Sequence, residues 1–245
     1  MNKVFLTVAS NRALTKDVYE MVLAGDVREI TRPGQFINIK LDGMYLRRPI
    51  SVCDWDTVEG KLTIIYKAVG HGTEYMAGLN KGAVLDVLTG LGNGFDVSKS
   101  GDAPLVIGGG VGVPPMYGLA KRLIGEGKKV TAILGFNTAA EIFYEDAFKA
   151  LGCETMVTTV DGSYGIKGFV TAAMAECDAS FFYTCGPGPM LKAVYNESKT
   201  SGQLSFEERM GCGFGACMGC SCKTKYGSLR ICKDGPVLDK EIVVW

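Results

Sequence analysis

The residues with the most chemistry in this sequence lie near its end, in Glu208-Arg209-Met210-Gly211-Cys212-Gly213-Phe214-Gly215-Ala216-Cys217-Met218-Gly219-Cys220-Ser221-Cys222, with Cys232 beyond. With Cys222 left out, the thiols are spaced C-x4-C-x2-C-x11-C, a spacing by which four thiolates hold a [2Fe–2S] cluster. The interleaved glycines suit that task. A loop wrapped around a cluster turns through positive φ, where glycine has no Cβ to clash. Its backbone N–H groups are then free to point at the negatively charged sulfurs. Structural zinc is one competing reading, but zinc sites use paired C-x2-C-like knuckles, and only Cys217 and Cys220 have that spacing. Disulfides are another, and they need an oxidising compartment that nothing else here suggests. The spacing favours a cluster on Cys212, Cys217, Cys220 and Cys232, with Cys222 a bystander.

Other stretches are suited to binding. In Leu46-Arg47-Arg48-Pro49-Ile50-Ser51, Arg48 precedes proline and is pushed towards an extended backbone. Its planar guanidinium could fork onto a phosphate pair, and Ser51 could offer a hydroxyl and an N–H. An ordinary strand with solvated arginines competes with this reading. Further on, Gly70-His71-Gly72-Thr73 is a glycine-rich turn opening a short helix, a place where a pyrophosphate meets free N–H groups. His71, the only histidine, reads as structural or solvated, and no catalytic triad can be built around it. In the middle, Gly108-Gly109-Gly110-Val111-Gly112-Val113-Pro114-Pro115 joins an apolar run to a helical pattern. Its G-x-G-x-x-P departs from the dinucleotide fingerprint G-x-G-x-x-G, although proline is tolerated in a first helical turn. Cys185-Gly186-Pro187-Gly188-Pro189-Met190 is a second glycine turn into a helix. Cys185 is either at a site edge or a small buried filler, and Cys53, Cys153 and Cys177 read as filler.

These stretches need scaffolds. Runs at 4–9, 18–23, 35–41, 49–55 and 61–69, punctuated by turn signals such as Pro33-Gly34 and Glu59-Gly60, predict a small antiparallel barrel. A last strand and glycine loop occupy 82–95, and a boundary is expected at 98–102. Beyond it, apolar strands at 103–107, 129–134, 154–160 and 179–184 alternate with helical patterns at 116–125 and 191–198. That is a βαβ arrangement with a parallel sheet, whose ligands sit at the strand C-termini.

Composition narrows the function further. Acids and bases balance at 26 each, which gives no basic surplus for nucleic acid or anionic lipid. No run approaches the ~18 apolar residues of a membrane helix. The first residues are too poor in apolar content for a signal peptide. Nine cysteines without an export signal point to a reducing cytoplasm.

Taken in order, barrel, R-P-I-S, G-x-G-x-x-P and C-G-P-G-P-M resemble the ferredoxin–NADP reductase superfamily over essentially the whole chain. The appended cysteine pattern and its tail, Cys232-Lys233-Asp234-Gly235-Pro236-Val237, look like one branch, the electron-transfer subunits of type B dihydroorotate dehydrogenases. The resemblance implies an N-terminal antiparallel β-barrel domain binding FAD (1–100), a parallel-sheet nucleotide-binding α/β domain for NAD (101–203) and a small C-terminal [2Fe–2S] domain (204–245). It implies FAD at Arg48, Pro49, Ile50 and Ser51, with further contacts at Ile65, Tyr66, Lys67, Gly72 and Thr73. NAD is implied at Gly110, Gly112 and Pro115, with Cys185, Gly186 and Pro187 near the ring.

The implied partner is an FMN-containing catalytic subunit that oxidises dihydroorotate to orotate in pyrimidine biosynthesis, in a heterotetramer with two of each chain. The chain carries no spare acid, base or nucleophile for an organic substrate. One departure concerns Gly135-Phe136-Asn137-Thr138, where related chains often place a basic residue beside the adenosine ribose. A ferredoxin:NAD(P)H oxidoreductase with another partner is the nearest alternative. A regulatory nucleotide-binding module with structural zinc differs in class, and a visible spectrum separates it.

Overall fold

In the computed structural model, which describes residues 1–245, the N-terminal alternation of apolar and polar side chains becomes six strands. They are β1 (Asn2–Ala13), β2 (Val18–Ala24), β3 (Phe36–Lys40), β4 (Arg48–Asp56), β5 (Lys61–Lys67) and β6 (Val84–Leu91), with helix α1 (His71–Ala77) before the last. They close in the order β1-β2-β5-β4-β3-β6, so the barrel has no open sheet edge. Leu6, Met21, Ile37, Ile39, Leu62 and Ile64 fill its interior. One seam is incomplete. The β4–β5 ladder runs from Asp56↔Lys61 only to Val52↔Ile64, with a register shift between Val52 and Asp54. Past that point Arg48, Pro49, Ile50 and Ser51 pair with β3, while Ile65, Tyr66 and Lys67 pair with β2.

The middle of the chain contains β7 (Pro104–Gly109), α2 (Val113–Gly125), β8 (Thr131–Phe136), α3 (Glu145–Leu151), β9 (Glu154–Thr159), β10 (Ile166–Lys167), α4 (Val170–Met174), β11 (Phe181–Cys185), α5 (Gly188–Glu197) and β12 (Gly202–Ser205). The C-terminal part adds β13 (Ser221–Thr224), β14 (Gly227–Arg230), α6 (Ile231–Asp234) and β15 (Val237–Asp239). The sheet order is β10-β9-β8-β7-β11-β12-β15, parallel throughout except for the last pair, β12–β15. The predicted parallel sheet therefore carries one antiparallel edge strand, supplied by the cysteine-bearing segment.

Helix α2 starts at Val113, earlier than the pattern from Met116 predicts. The turn Gly110–Gly112 feeds straight into it, and the prolines occupy its first turn, where a missing N–H costs nothing. Short α3 and α4 were not expected. Each is too brief for a 3.6-residue pattern to stand out.

Two sets of contacts fix the barrel against the sheet domain. Val18, Cys53 and Ile65 of the barrel share one apolar core with Val113 and Met116 of α2, and Lys121 of α2 pairs with Asp54 at 2.6 Å. Tyr144, at the start of α3 with φ 66°, donates its hydroxyl to Glu20 Oε2 at 2.7 Å. Glu20 is buried and also accepts from Arg12 Nε at 2.7 Å. No helix is long and apolar enough to cross a membrane.

Glu20→Ala strands the Tyr144 hydroxyl and should cost about 1–3 kcal/mol, a melting-temperature fall of about 2–4 °C per kcal/mol for a chain of this size. Arg12→Ala removes a mostly exposed partner and should cost about 1 kcal/mol or less. Calorimetry of the two variants compares these values, and equal shifts would refute the clasp.

Candidate functional site

The cysteine-rich loop follows β12, and its thiols associate in two pairs. The Cys217 amide points at Cys212 Sγ, and the Cys232 amide at Cys220 Sγ. Backbone amides already aim at the sulfurs. Ala216 N and Cys217 N reach Cys212 Sγ at 3.2 and 3.4 Å, Gly219 N reaches Cys217 Sγ at 3.5 Å, and Cys232 N reaches Cys220 Sγ at 3.4 Å. Burial works against the Cys212 thiolate, but the amides of Phe214, Cys217 and Ala216 with the Cys217 thiol outweigh it and bring Cys212 down to about 6. Burial and then the neighbouring Cys220 push Cys232 up to about 12.

No three Cys, His, Asp or Glu side chains gather about one point as a single ion would need. Two pairs of thiols with amides turned towards them instead match the donor set of a two-iron cluster, with two thiolates per iron. Cys222 stands apart, its Sγ against the Lys223 carbonyl at 3.6 Å.

Met218, between the second and third thiols, has φ 60°, an uncommon state for a side chain of its kind. Ser221 holds it through its amide and hydroxyl on the Met218 carbonyl, at 3.3 and 2.8 Å. Arg230 ties the loop to α6, donating to the Gly215 carbonyl at 3.0 Å and to Asp234 at 3.0 Å. At the tail, Asn93 donates its amide N to Gly235 at 2.7 Å and its Nδ2 to Val237 at 2.7 Å. None of these supporting residues was singled out from the sequence. An i, i+4 Arg–Asp pair was the one available signal.

The seam between β4 and β5 gathers the second group. The adjacent arginines part company: Arg47 pairs with Asp86 at 2.7 Å, whereas Arg48 reaches only neutral acceptors, the Leu46 and Arg47 carbonyls and Met44 Sδ. The Arg48 guanidinium lies over Gly72, where a Cβ would collide with it, so strand and turn meet. Thr73 Oγ1 closes that turn on Gly70 at 3.1 Å. Not every predicted side chain faces the seam. Tyr66 is buried with its hydroxyl on Asn11 at 3.0 Å, Ile65 belongs to the core under α2, and Lys67 pairs with Asp17 at 3.2 Å. What Ile65 and Tyr66 offer at the seam is backbone. His71 is exposed.

The third group lies at the strand C-termini. Cys185 is aligned with Gly108, and Gly109 with Gly135. The two glycine turns touch: a Cβ on Gly112 would strike the Cys185 carbonyl, and one on Gly186 would strike Met190. Pro114 and Pro115 remove N–H donors from the α2 N-terminus, so attraction for an anion rests on the dipole and the amides of Gly110, Val111 and Gly112. Cys185 is half-buried: its carbonyl lies against Gly112, and burial pushes its thiol up to about 12 beside Ser205.

At the far end the chemistry is acidic. Asn137 donates to Glu141 at 2.8 Å, and Ser163 donates to Asp161 at 2.6 Å and holds that carboxyl below its usual range. The Lys167 stem lies over Gly162.

Two family models match the chain: "Iron-sulfur cluster binding domain of dihydroorotate dehydrogenase B" over residues 207–244 and "Oxidoreductase NAD-binding domain" over residues 106–196. Two relatives are each named dihydroorotate dehydrogenase B (NAD(+)), electron transfer subunit. The one from Fusobacterium nucleatum subsp. nucleatum is 47% identical, covering 94% of each chain. The one from Bacillus pumilus is 46% identical, covering 99% of this chain and 98% of the relative. Among solved structures, an NADH-dependent reduced ferredoxin-NADP oxidoreductase studied for electron bifurcation superposes with a TM-score of 0.89 at 29% identity, over 99% of this chain and 90% of that one. A ferredoxin NADP+ reductase from Neisseria gonorrhoeae, solved with FAD and NADP, shares the fold at 14% identity and a TM-score of 0.70, over 80% of this chain and 90% of that one.

Serine at Cys212, Cys217, Cys220 or Cys232 should each strip the protein of iron and acid-labile sulfide, while Cys222→Ser keeps both. Iron and sulfide assays on purified variants check this. Iron lost from the Cys222 variant but retained by the Cys212 variant would overturn the ligand set.

Proposed function

The chain belongs to the electron-transfer subunits of dihydroorotate dehydrogenase B, and from that premise we propose that it passes electrons between NAD and an FMN-containing catalytic subunit that converts dihydroorotate to orotate in pyrimidine biosynthesis. It is an oxidoreductase subunit with three cofactors, FAD, a [2Fe–2S] cluster and NAD. When bound, FAD exchanges a hydride with the nicotinamide and single electrons with the cluster, which joins two-electron to one-electron chemistry. The assembly is a cytoplasmic heterotetramer with two of each chain. Residues 1–100 form the FAD domain, 101–203 the NAD domain and 204–245 the cluster domain.

The observation that carries this reading is the order of groups across the barrel wall. The turn Gly110–Gly112 lies against β5. Next comes the seam where β5 and β4 lose their shared ladder. Then comes β3, whose Phe36 belongs to the same apolar cluster as Cys220 and Cys232. Nucleotide, flavin and cluster held in that order would make a continuous electron path.

Within it, Arg48, which lies over Gly72 and has no carboxylate partner, would hold the FAD pyrophosphate. Pro49, Ile50 and Ser51, with the backbone of Ile65, Tyr66 and Lys67, line the seam, and Gly72 and Thr73 form the turn under the phosphates. Gly110, Gly112, Pro115, Cys185, Gly186 and Pro187 seat the nicotinamide nucleotide. Cys212, Cys217, Cys220 and Cys232 hold the cluster, with the loop amides stabilising negative sulfur.

The reductase structure at 29% identity favours a second reading, in which the partner is a ferredoxin. The chain that copurifies separates the two, because an FMN-containing catalytic subunit accompanies only the first.

NADH should exceed NADPH in kcat/KM by roughly tenfold or more, equivalent to about 1.4 kcal/mol. A 2′-phosphate needs Arg or Lys at the ends of β8 and β9, and Glu141 and Asp161 stand there instead. Equal values, with Lys167 supplying the cation, would sink this expectation.

The isolated chain should reduce a dye with NADH yet leave dihydroorotate untouched. Oxidising that ring requires a positioned base, whereas the sole histidine is exposed and Cys185 is half-buried with its thiol pushed up to about 12. Adding the catalytic subunit should create dihydroorotate:NAD⁺ activity, and cluster loss should abolish it while dye reduction persists. Turnover of dihydroorotate by the single chain would refute the proposal.

A further inference from the structure

Asn38 is a polar residue in the middle of β3, 1% exposed, between Ile37 and Ile39. Those isoleucines fill the barrel interior, so Phe36 and Asn38 point out of it. The outer face is dry there. Phe36 shares one apolar cluster with Cys220, Ile231 and Cys232, and Asn38 Nδ2 donates to the Cys212 carbonyl at 3.2 Å. Gly213, with φ +78°, leaves the room this needs, since a Cβ would run into the Asn38 amide. The Asn38 backbone is fixed as well: Arg47 Nη1 donates to its carbonyl at 3.2 Å, and Arg47 is anchored on Asp86.

In this packed setting Asn38 Oδ1 has no hydrogen-bond partner. A buried amide oxygen without a donor forfeits a whole hydrogen bond, and native proteins seldom leave one so. Chemistry limits what can serve it. Thiolates and the sulfides of an iron–sulfur cluster accept hydrogen bonds and have none to donate. A flavin offers a ring N–H and ribityl hydroxyls. Pro49 is the direct ladder partner of Asn38, and directly opposed residues place their side chains on the same face about 4.5–5.5 Å apart. Pro49 is one of the residues assigned above to FAD.

We propose that Asn38 is a positioning residue shared by two cofactors: Nδ2 holds the Cys212–Gly213 turn against the barrel, and Oδ1 accepts a hydrogen bond from the bound flavin. The inference rests on the FAD assignment made under the proposed function. One rigid amide then sets the flavin and the first cluster thiol relative to each other.

The test uses the full chain loaded with FAD and cluster, and compares it with Asn38→Leu, which keeps the branching at Cγ and removes the polar atoms. Asn38→Ser provides a smaller variant should leucine prevent folding. Readouts are the FAD dissociation constant, the resolution of the flavin absorption bands and the electron paramagnetic resonance g values of the dithionite-reduced cluster. Asn38→Leu should weaken FAD binding about tenfold, blur the flavin bands and shift the g values, with iron and sulfide near wild-type content. Asn38→Ser should weaken FAD about threefold or more. A merely structural role would lower the melting temperature without moving the spectra of the folded fraction. An unchanged FAD dissociation constant in a folded variant means that a buried water serves Oδ1 and overturns the proposal, as do unchanged g values. If the wild-type chain itself takes up no FAD, the functional assignment falls and takes this inference with it. If wild type and variants bind alike, only the inference falls.

Discussion

The β4–β5 ladder stops at Val52↔Ile64, next to a register shift between Val52 and Asp54, and the arrangement of sites depends on that early end. An extra residue in one strand bends it and increases its twist. Here the displaced residue is Cys53, which is buried and turned towards α2. The same irregularity thus seats the nucleotide-binding domain on one side and opens the barrel wall on the other. A fully laddered barrel would satisfy every backbone group at that seam and leave nothing for a ligand edge to pair with. The fixed position of α2 matters equally, because it carries the Gly110–Gly112 turn up against β5.

The cysteine segment faces an electrostatic problem that its backbone addresses in advance. Four thiolates in a small loop repel one another. Amides directed at the sulfur lessen this for Cys212, which comes down to about 6. For Cys232 burial dominates and pushes the thiol up to about 12. Such a loop would not hold its shape alone. It is held at both ends, by β12 and β15 in the sheet and by Asn93 from the barrel on the tail at Gly235 and Val237.

How much of this the sequence discloses follows from how local each signal is. Cysteine spacing and glycine turns are contiguous, and they announced the loop, the barrel and the parallel strands. Strand β15 is three residues long and pairs with a strand some thirty residues earlier, so no periodic pattern could reveal it. Spacing chose Cys220 over Cys222 as a ligand but did not say how the two side chains are turned. That depends on where β13 begins and how the hairpin with β14 turns its side chains. Asn38, within Phe36-Ile37-Asn38-Ile39-Lys40, reads as the polar half of an ordinary alternation. Only the fold shows that its solvent side is covered.

Arg47 and Arg48 make the general point most sharply. They are adjacent and identical in type, and the sequence separates them only through the proline that follows Arg48 and the R-P-I-S resemblance. In the fold, one guanidinium is committed to Asp86 and the other has only neutral acceptors. Asn38 divides in the same way within a single side chain, with one end bonded to Cys212 and the other without a partner. Met218 adds a backbone held in a costly state. A chain that otherwise satisfies its polar groups and packs its core tends to break local rules where a ligand completes them. Two of the uncommitted groups here, Arg48 and Asn38 Oδ1, lie one ladder step apart on the paired strands β3 and β4. Their proximity says more about where a ligand would complete the barrel wall than either does alone.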